Sequence, residues 1–144
     1  MVTVRKWDNK LKCKRAAEYL VTKLKAMGFT VMRYDSYTSN SIYLKLDEGV
    51  TGTIRISDHR GKKHLQYRYN LLTGQKNLEQ ETSSRGVEQF YIPMHYIDQL
   101  ISKVIYDRQE RIDKYGIVNY NLYRQRNKQE GLRKDGFWRK AKYV

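Results

Sequence analysis

The chain predicts an α+β fold: an N-terminal helix, a four- to five-stranded antiparallel sheet, a long C-terminal helix and a basic C-terminal segment. Three observations carry this reading. Apolar residues recur at every second position through Ile42–Leu44–Leu46, Ile54–Ile56 and Leu65–Tyr67–Tyr69–Leu71, the period of strands with one buried face. Short glycine-bearing separators, Glu48-Gly49-Val50-Thr51-Gly52 and Arg60-Gly61-Lys62-Lys63, stand between these runs as hairpin connections do, since glycine supplies positive φ. On either side of this region the apolar spacing changes to that of helices.

In chain order, Asp8 is placed to cap a first helix over about 9–27. Leu11, Cys13, Ala16, Ala17, Leu20, Val21, Leu24 and Met27 form its apolar stripe, and Gly28 is its stop. The opposite side carries Lys10, Lys14, Arg15, Lys23 and Lys25, a solvated face or a binding one. Phe29 to Tyr34 alternates and contains β-branched Thr30 and Val31, which predicts a first strand. The polar turn Asp35–Asn40 leads into the three-strand run. After Leu72 the composition becomes that of an exposed loop, followed by a short strand over 87–92.

Pro93 suits the first turn of a second helix, where its missing N–H costs nothing, and Asp98 adds a favourable charge near that end. Ile97, Leu100, Ile101, Val104 and Ile105 give this helix, about 94–114, its apolar face, and Gly116 ends it. Residues 1–120 are expected to form one domain. Residues 121–144 are expected to form a basic, aromatic, partly ordered segment with too few aliphatic side chains to bury itself, although Tyr120, Leu122 and Leu132 are candidates to fold back on the core.

Charge narrows the functional classes. The formal net charge is +14, and it is concentrated at the ends. Residues 1–28 and 121–144 each carry eight Lys/Arg against two acids, whereas the residues between carry thirteen against eleven. Such a chain is drawn to polyanions or to acidic protein surfaces. No apolar run approaches the roughly 20 residues of a membrane span, and the first residues lack the apolar core of a secretory signal. A soluble, intracellular protein without a membrane partner is therefore expected. The single cysteine, Cys13, makes no internal disulfide and reads as a small core-facing residue.

The strongest binding chemistry lies in the C-terminal segment. There Tyr120, Tyr123, Phe137, Trp138 and Tyr143 interleave with Arg124, Arg126, Lys128, Arg133, Lys134, Arg139, Lys140 and Lys142. Cations bind phosphates with counterion release, and aromatic rings stack unpaired bases. Arg124, Arg126, Lys128, Arg133, Lys134, Trp138, Arg139 and Lys140 are accordingly the expected contacts to a nucleic acid or a ribonucleoprotein.

Asp58-His59 with His64 invites a metal or general-base hypothesis. Three histidines and one cysteine spread over different elements make a poor zinc set, and hydrogen bonds within the turn are the favoured account of Ser57, Asp58 and His59. No metal, no cofactor and no enzymatic activity are expected.

The strand end Ile54-Arg55-Ile56-Ser57-Asp58-His59, preceded by Ser41-Ile42-Tyr43-Leu44 and followed by Gly61-Lys62, resembles a module of small phage and mobile-element proteins of Gram-positive bacteria. The plan of a small basic protein with such a strand end and then a long helix is similar to that of type II-A anti-CRISPR proteins, in particular the staphylococcal Cas9 inhibitors, over about residues 29–114. The resemblance implies a partner, Cas9 or its complex with guide RNA, and a non-enzymatic block of nucleic-acid loading or cleavage. The motif residues themselves read as structural. A basic nucleic-acid-binding regulator of a phage or mobile element is the alternative.

Overall fold

The computed structural model describes residues 2–57, 66–72, 87–134 and 140–144, with side chains over 10–57, 92–93, 95–129 and 140–144. The first helix, α1 (Val2–Ala26), leads into β1 (Val31–Asp35), β2 (Ile42–Leu46) and β3 (Gly52–Ser57). β4 (Gln66–Leu72) and β5 (Val87–Pro93) follow, then α2 (Ile97–Tyr115), α3 (Ile117–Lys134) and the two-residue β6 (Lys142–Tyr143). All strand pairs are antiparallel, in the order β5-β4-β3-β2-β1-β6. The chain therefore lays down a simple meander, and its last residues return to pair with the β1 edge. The fold is α+β, as the alternation predicts.

The core lies between one face of the sheet and the helices α1 and α2. Cys13, Ala16, Ala17, Leu20 and Leu24 of α1 meet Val31, Ile42, Leu44, Leu46, Ile54 and Ile56 of the sheet, with Leu100 and Val104 of α2 closing the cluster. Their i, i+3, i+4 spacing on α1 and period-2 spacing on the strands are what bring them to a common side. Each fully buried leucine or isoleucine contributes about 1.5–3 kcal/mol through removal from water. Among the described residues, no helix is long and apolar enough to cross a membrane.

Several elements differ from the sequence expectation. α1 starts at Val2, so Asp8 lies within the helix rather than capping it; no glycine or proline interrupts residues 2–8, and nothing there stops the helix from extending. α2 begins at Ile97, after a single 3-10 turn at Met94–Tyr96. The 18-residue helix α3 takes in the first part of the segment expected to be partly ordered and crosses the expected boundary at 120/121. Leu122 does not fold back and is 41% exposed, whereas Tyr120 and Tyr123 are buried against Val50. Tyrosine spacing at i, i+3, not aliphatic content, anchors this helix. The sixth strand comes from Lys142–Tyr143, whose pairing with Arg33 and Met32 was not legible as a strand pattern.

Replacing Leu20, which has no exposed surface, by alanine is expected to cost about 2–5 kcal/mol in denaturant unfolding. Tyr37→Ala, at a position 86% exposed on the β1–β2 turn, is expected to cost less than about 0.5 kcal/mol. Equal losses at the two positions would contradict this placement of the core.

Candidate nucleic-acid interface

The turn between β2 and β3 is the joint on which the C-terminal part of the chain is mounted. Asp47 and Glu48 adopt left-handed backbone angles, φ 48° and 52°, and Gly49 continues at φ 88°. Only glycine takes this conformation without cost, and each of the two acids gives up roughly 1–2 kcal/mol to hold it. That strain turns both carboxylates inward. Asp47 has no exposed surface, and Glu48 is buried as well.

The Asp47 carboxylate accepts from three parts of the chain. The Thr30 backbone N–H donates to Oδ1 at 2.9 Å, the Arg108 Nε donates to Oδ2 at 2.9 Å, and the Tyr120 hydroxyl donates to the same Oδ2. Tyr120 also meets the Thr51 hydroxyl at 2.8 Å. Arg108 reaches further still. Its two terminal nitrogens donate to the Met27 and Gly28 carbonyls at 3.3 Å, and its guanidinium lies 4.6 Å from the centre of the Phe29 ring. One arginine on α2 thus ties the end of α1 to the β2–β3 turn.

Glu48 forms the second half of the joint. Arg124 donates from Nε to Glu48 Oε1 at 2.8 Å, and its Nη2 lies 2.7 Å from the same oxygen and from the Thr30 hydroxyl. Burial works against the Arg124 charge, but the Glu48 hydrogen bond and charge outweigh it and raise its pKa further. Burial and the neighbouring Asp47 charge push the Tyr120 hydroxyl well above the usual tyrosine range.

The C-terminal candidates therefore divide. Arg124 is engaged inside the fold by Glu48 and Thr30. Arg126 stands 6.0 Å from the Tyr123 ring centre, and Lys128 lies 5.6 Å from the Tyr143 ring centre, where α3 meets the returning chain end. Lys140 and Lys142 are exposed. Arg133 and Lys134 belong to the last turn of α3, with side chains outside the described set, and Trp138 and Arg139 lie outside the described residues. The structure thus brings Lys128, Tyr143 and Lys142 to the β1 edge of the sheet.

The strand-end motif is split by its own alternation. Ile54 and Ile56 are core residues. Arg55 points to the opposite face of the sheet, and the Ser57 hydroxyl accepts from Ser41 Oγ at 2.8 Å, joining the start of β2 to the end of β3. Asp58, His59 and His64 lie outside the described residues. Among the described residues no group of His, Cys, Asp and Glu is arranged to hold a metal.

Sequence reasoning missed Asp47, Glu48, Arg108 and Thr51. An acidic pair beside a glycine has the composition of an exposed hairpin, and Arg108 is one of several charges on α2. The Tyr120-x-x-Tyr123-Arg124 spacing was the available signal, because it places three long polar-tipped side chains on one face of a helix.

Compared with models of known protein families, with curated protein sequences and with solved structures, the chain matches none.

Removing the Asp47 carboxylate strands a half-buried guanidinium and a buried hydroxyl, so Asp47→Ala is expected to cost about 3–5 kcal/mol by chemical denaturation. A loss below about 1 kcal/mol would refute the role given to this joint. Because the Tyr120 pKa is raised on folding, its contribution is fully present below pH 10.0, the unfolded value, and is lost as pH rises from there through the folded pKa. Stability measured across that alkaline range should therefore fall more steeply for the wild type than for Tyr120→Phe.

Proposed function

We propose that this protein is a non-enzymatic inhibitor of a guide-RNA-loaded Cas9 nuclease that works by engaging the nucleic acid of the complex and blocking target loading or cleavage. The observation that carries the reading is the disposition of charge. The buried carboxylates Asp47, Glu48 and Asp107 are matched internally by Arg108, Arg124 and Lys103. The excess of positive charge therefore belongs to the outside. Over its described side chains, α1 presents exposed Lys10, Lys12, Lys14, Arg15, Lys23 and Lys25 against Glu18 alone. Exposed Lys128, Lys140 and Lys142 add a second basic region at the far end of the chain.

A surface of this sign is not a mimic of DNA. It attracts phosphates, and it does so at long range and in proportion to the phosphates neutralised. In a guide-loaded nuclease the protein holds its heteroduplex in a positive channel, so the negative partner open to this chain is the exposed nucleic acid or an acidic protein face. The resemblance of the Ile54–His59 strand end to Cas9-inhibitor modules directs the reading to this class of complex. A basic nucleic-acid-binding regulator is the second reading, and the same charge supports it.

Titrating the purified protein into a cleavage reaction with guide-loaded type II-A Cas9 is expected to abolish cleavage near equimolar dose, with the effect weakening as salt rises. Cleavage that survives a several-fold excess would refute the inhibitor reading. Salt-sensitive RNA binding in the same preparation would then leave the regulator.

A further inference from the structure

The solvent side of α1 carries three cations that the described fold does not use. Cys13, Ala16, Ala17, Leu20 and Leu24 turn to the sheet, and the stripe opposite them is Leu11, Glu18 and Thr22, all exposed. At about 100° per residue, Lys14 and Lys25 stand about 40–60° to one side of that stripe and Arg15 about 40° to the other. The step from Lys14 to Lys25 is about three turns, so the two lysines share a side and stand about 16 Å apart along the helix.

Two observations set these cations apart. Arg33, Lys103, Arg108 and Arg124 are each committed to an acid of the fold. Lys14, Arg15 and Lys25 are exposed, and among the described residues no ion pair or hydrogen bond engages them; Glu18, within about a turn of Lys14 and Arg15, pairs with neither. The second observation concerns Tyr19, the one aromatic side chain described on α1. Its hydroxyl donates to Asp98 Oδ1 at 2.9 Å, and Lys23 Nζ lies 5.5 Å from its ring centre. That hydrogen bond ties α1 to the start of α2 and leaves the stripe a surface of cations rather than of rings.

We propose that the solvent side of α1 is a docking surface for double-helical DNA, with Lys14 and Lys25 on one flank and Arg15 on the other holding backbone phosphates. A straight row of cations suits a rigid polyanion, and a duplex presents one charge for about every 1.7 Å of its axis. The major groove of DNA, about 12 Å wide, admits a helix about 10–12 Å across, whereas the major groove of an RNA duplex is too narrow. A single strand binds best where rings stack its bases, and Tyr19 is already engaged. The inference rests on the reading that the protein engages nucleic acid, and it names the form, the one in which a nuclease meets its target, and the surface.

The test is fluorescence anisotropy of the full chain with a labelled DNA duplex of about 20 base pairs, longer than the roughly 11 that α1 spans, across a salt series. An RNA duplex and a DNA single strand of the same length are the comparisons. The wild type is expected to bind the DNA duplex most tightly. Lys14→Gln/Arg15→Gln/Lys25→Gln is expected to weaken duplex binding about tenfold or more and to lower the slope of log affinity against log salt by about 2–3, at about 0.9 for each phosphate contact. Lys128→Gln/Lys140→Gln/Lys142→Gln removes the same charge and is expected to lower that slope by less than about half as much. Thermal melting establishes that both variants are folded. Lysine acetylation footprinting of the wild type needs no variant: bound DNA should protect Lys14 and Lys25 and leave exposed Lys114 of α2 reactive. Equal losses in the two variants, equal or tighter binding of the RNA duplex or the single strand, or protection confined to Lys128, Lys140 and Lys142 would each overturn the proposal. A wild type that blocks Cas9 but binds no DNA duplex would overturn it and leave the inhibitor reading standing. Duplex binding that depends on α1, without inhibition, would uphold it and remove the inhibitor reading.

Discussion

The Asp47 carboxylate is the point on which the helices and the sheet depend together. It sits without solvent contact in a left-handed turn and receives a backbone amide from the approach to β1, a guanidinium from α2 and a hydroxyl from α3. Burying a charge is costly, and the cost is met only where the partners are close and the remaining lone pairs are satisfied. Here the same arginine also holds the last carbonyls of α1, so one ion pair sets the relation of all three helices to the sheet. Such a joint is less a source of net stability than a demand for one arrangement, because any other docking of α2 or α3 leaves the charge without its partners.

That demand changes the character of the C-terminal region. A basic aromatic segment free in solvent would lose conformational entropy whenever it met a partner. Anchored by Tyr120, Tyr123 and Arg124, its first two-thirds is already a helix, and its end is stitched to β1 by the backbone of Met32 and Arg33. The cations it carries, Arg126 and Lys128 among them, are thereby mounted on a scaffold. Preorganised cations cost less to engage than mobile ones.

The sheet separates structural and interactive residues by parity. Ile54 and Ile56 build the core while Arg55, between them, faces away; Tyr43 and Lys45 alternate likewise with Ile42, Leu44 and Leu46. On the side away from α1 and α2 the register places polar and aromatic residues, and Lys128 of α3 reaches Tyr143 there. The residues of a single strand thus serve both the fold and a surface, and the strand end Ile54-Arg55-Ile56-Ser57 is mixed in the same way.

From the sequence alone came the α+β class, the period-2 strands, the core stripes of α1 and α2 and the excess of positive charge at both ends. These are properties of local periodicity and composition, which need no knowledge of what lies across the fold. Tertiary structure alone decided that Asp47 and Glu48 are buried, that Arg124 is an internal partner, and that residues 117–134 are a docked helix. It also decided that Tyr34, Tyr43 and Arg55 form one row, since cross-strand register is a relation between segments. An acid in a glycine-bearing turn reads as solvated until a guanidinium 61 residues away is seen beside it. The physical reason is the same in each case: the partner that makes these positions favourable is supplied by a distant part of the chain, and no local pattern records it.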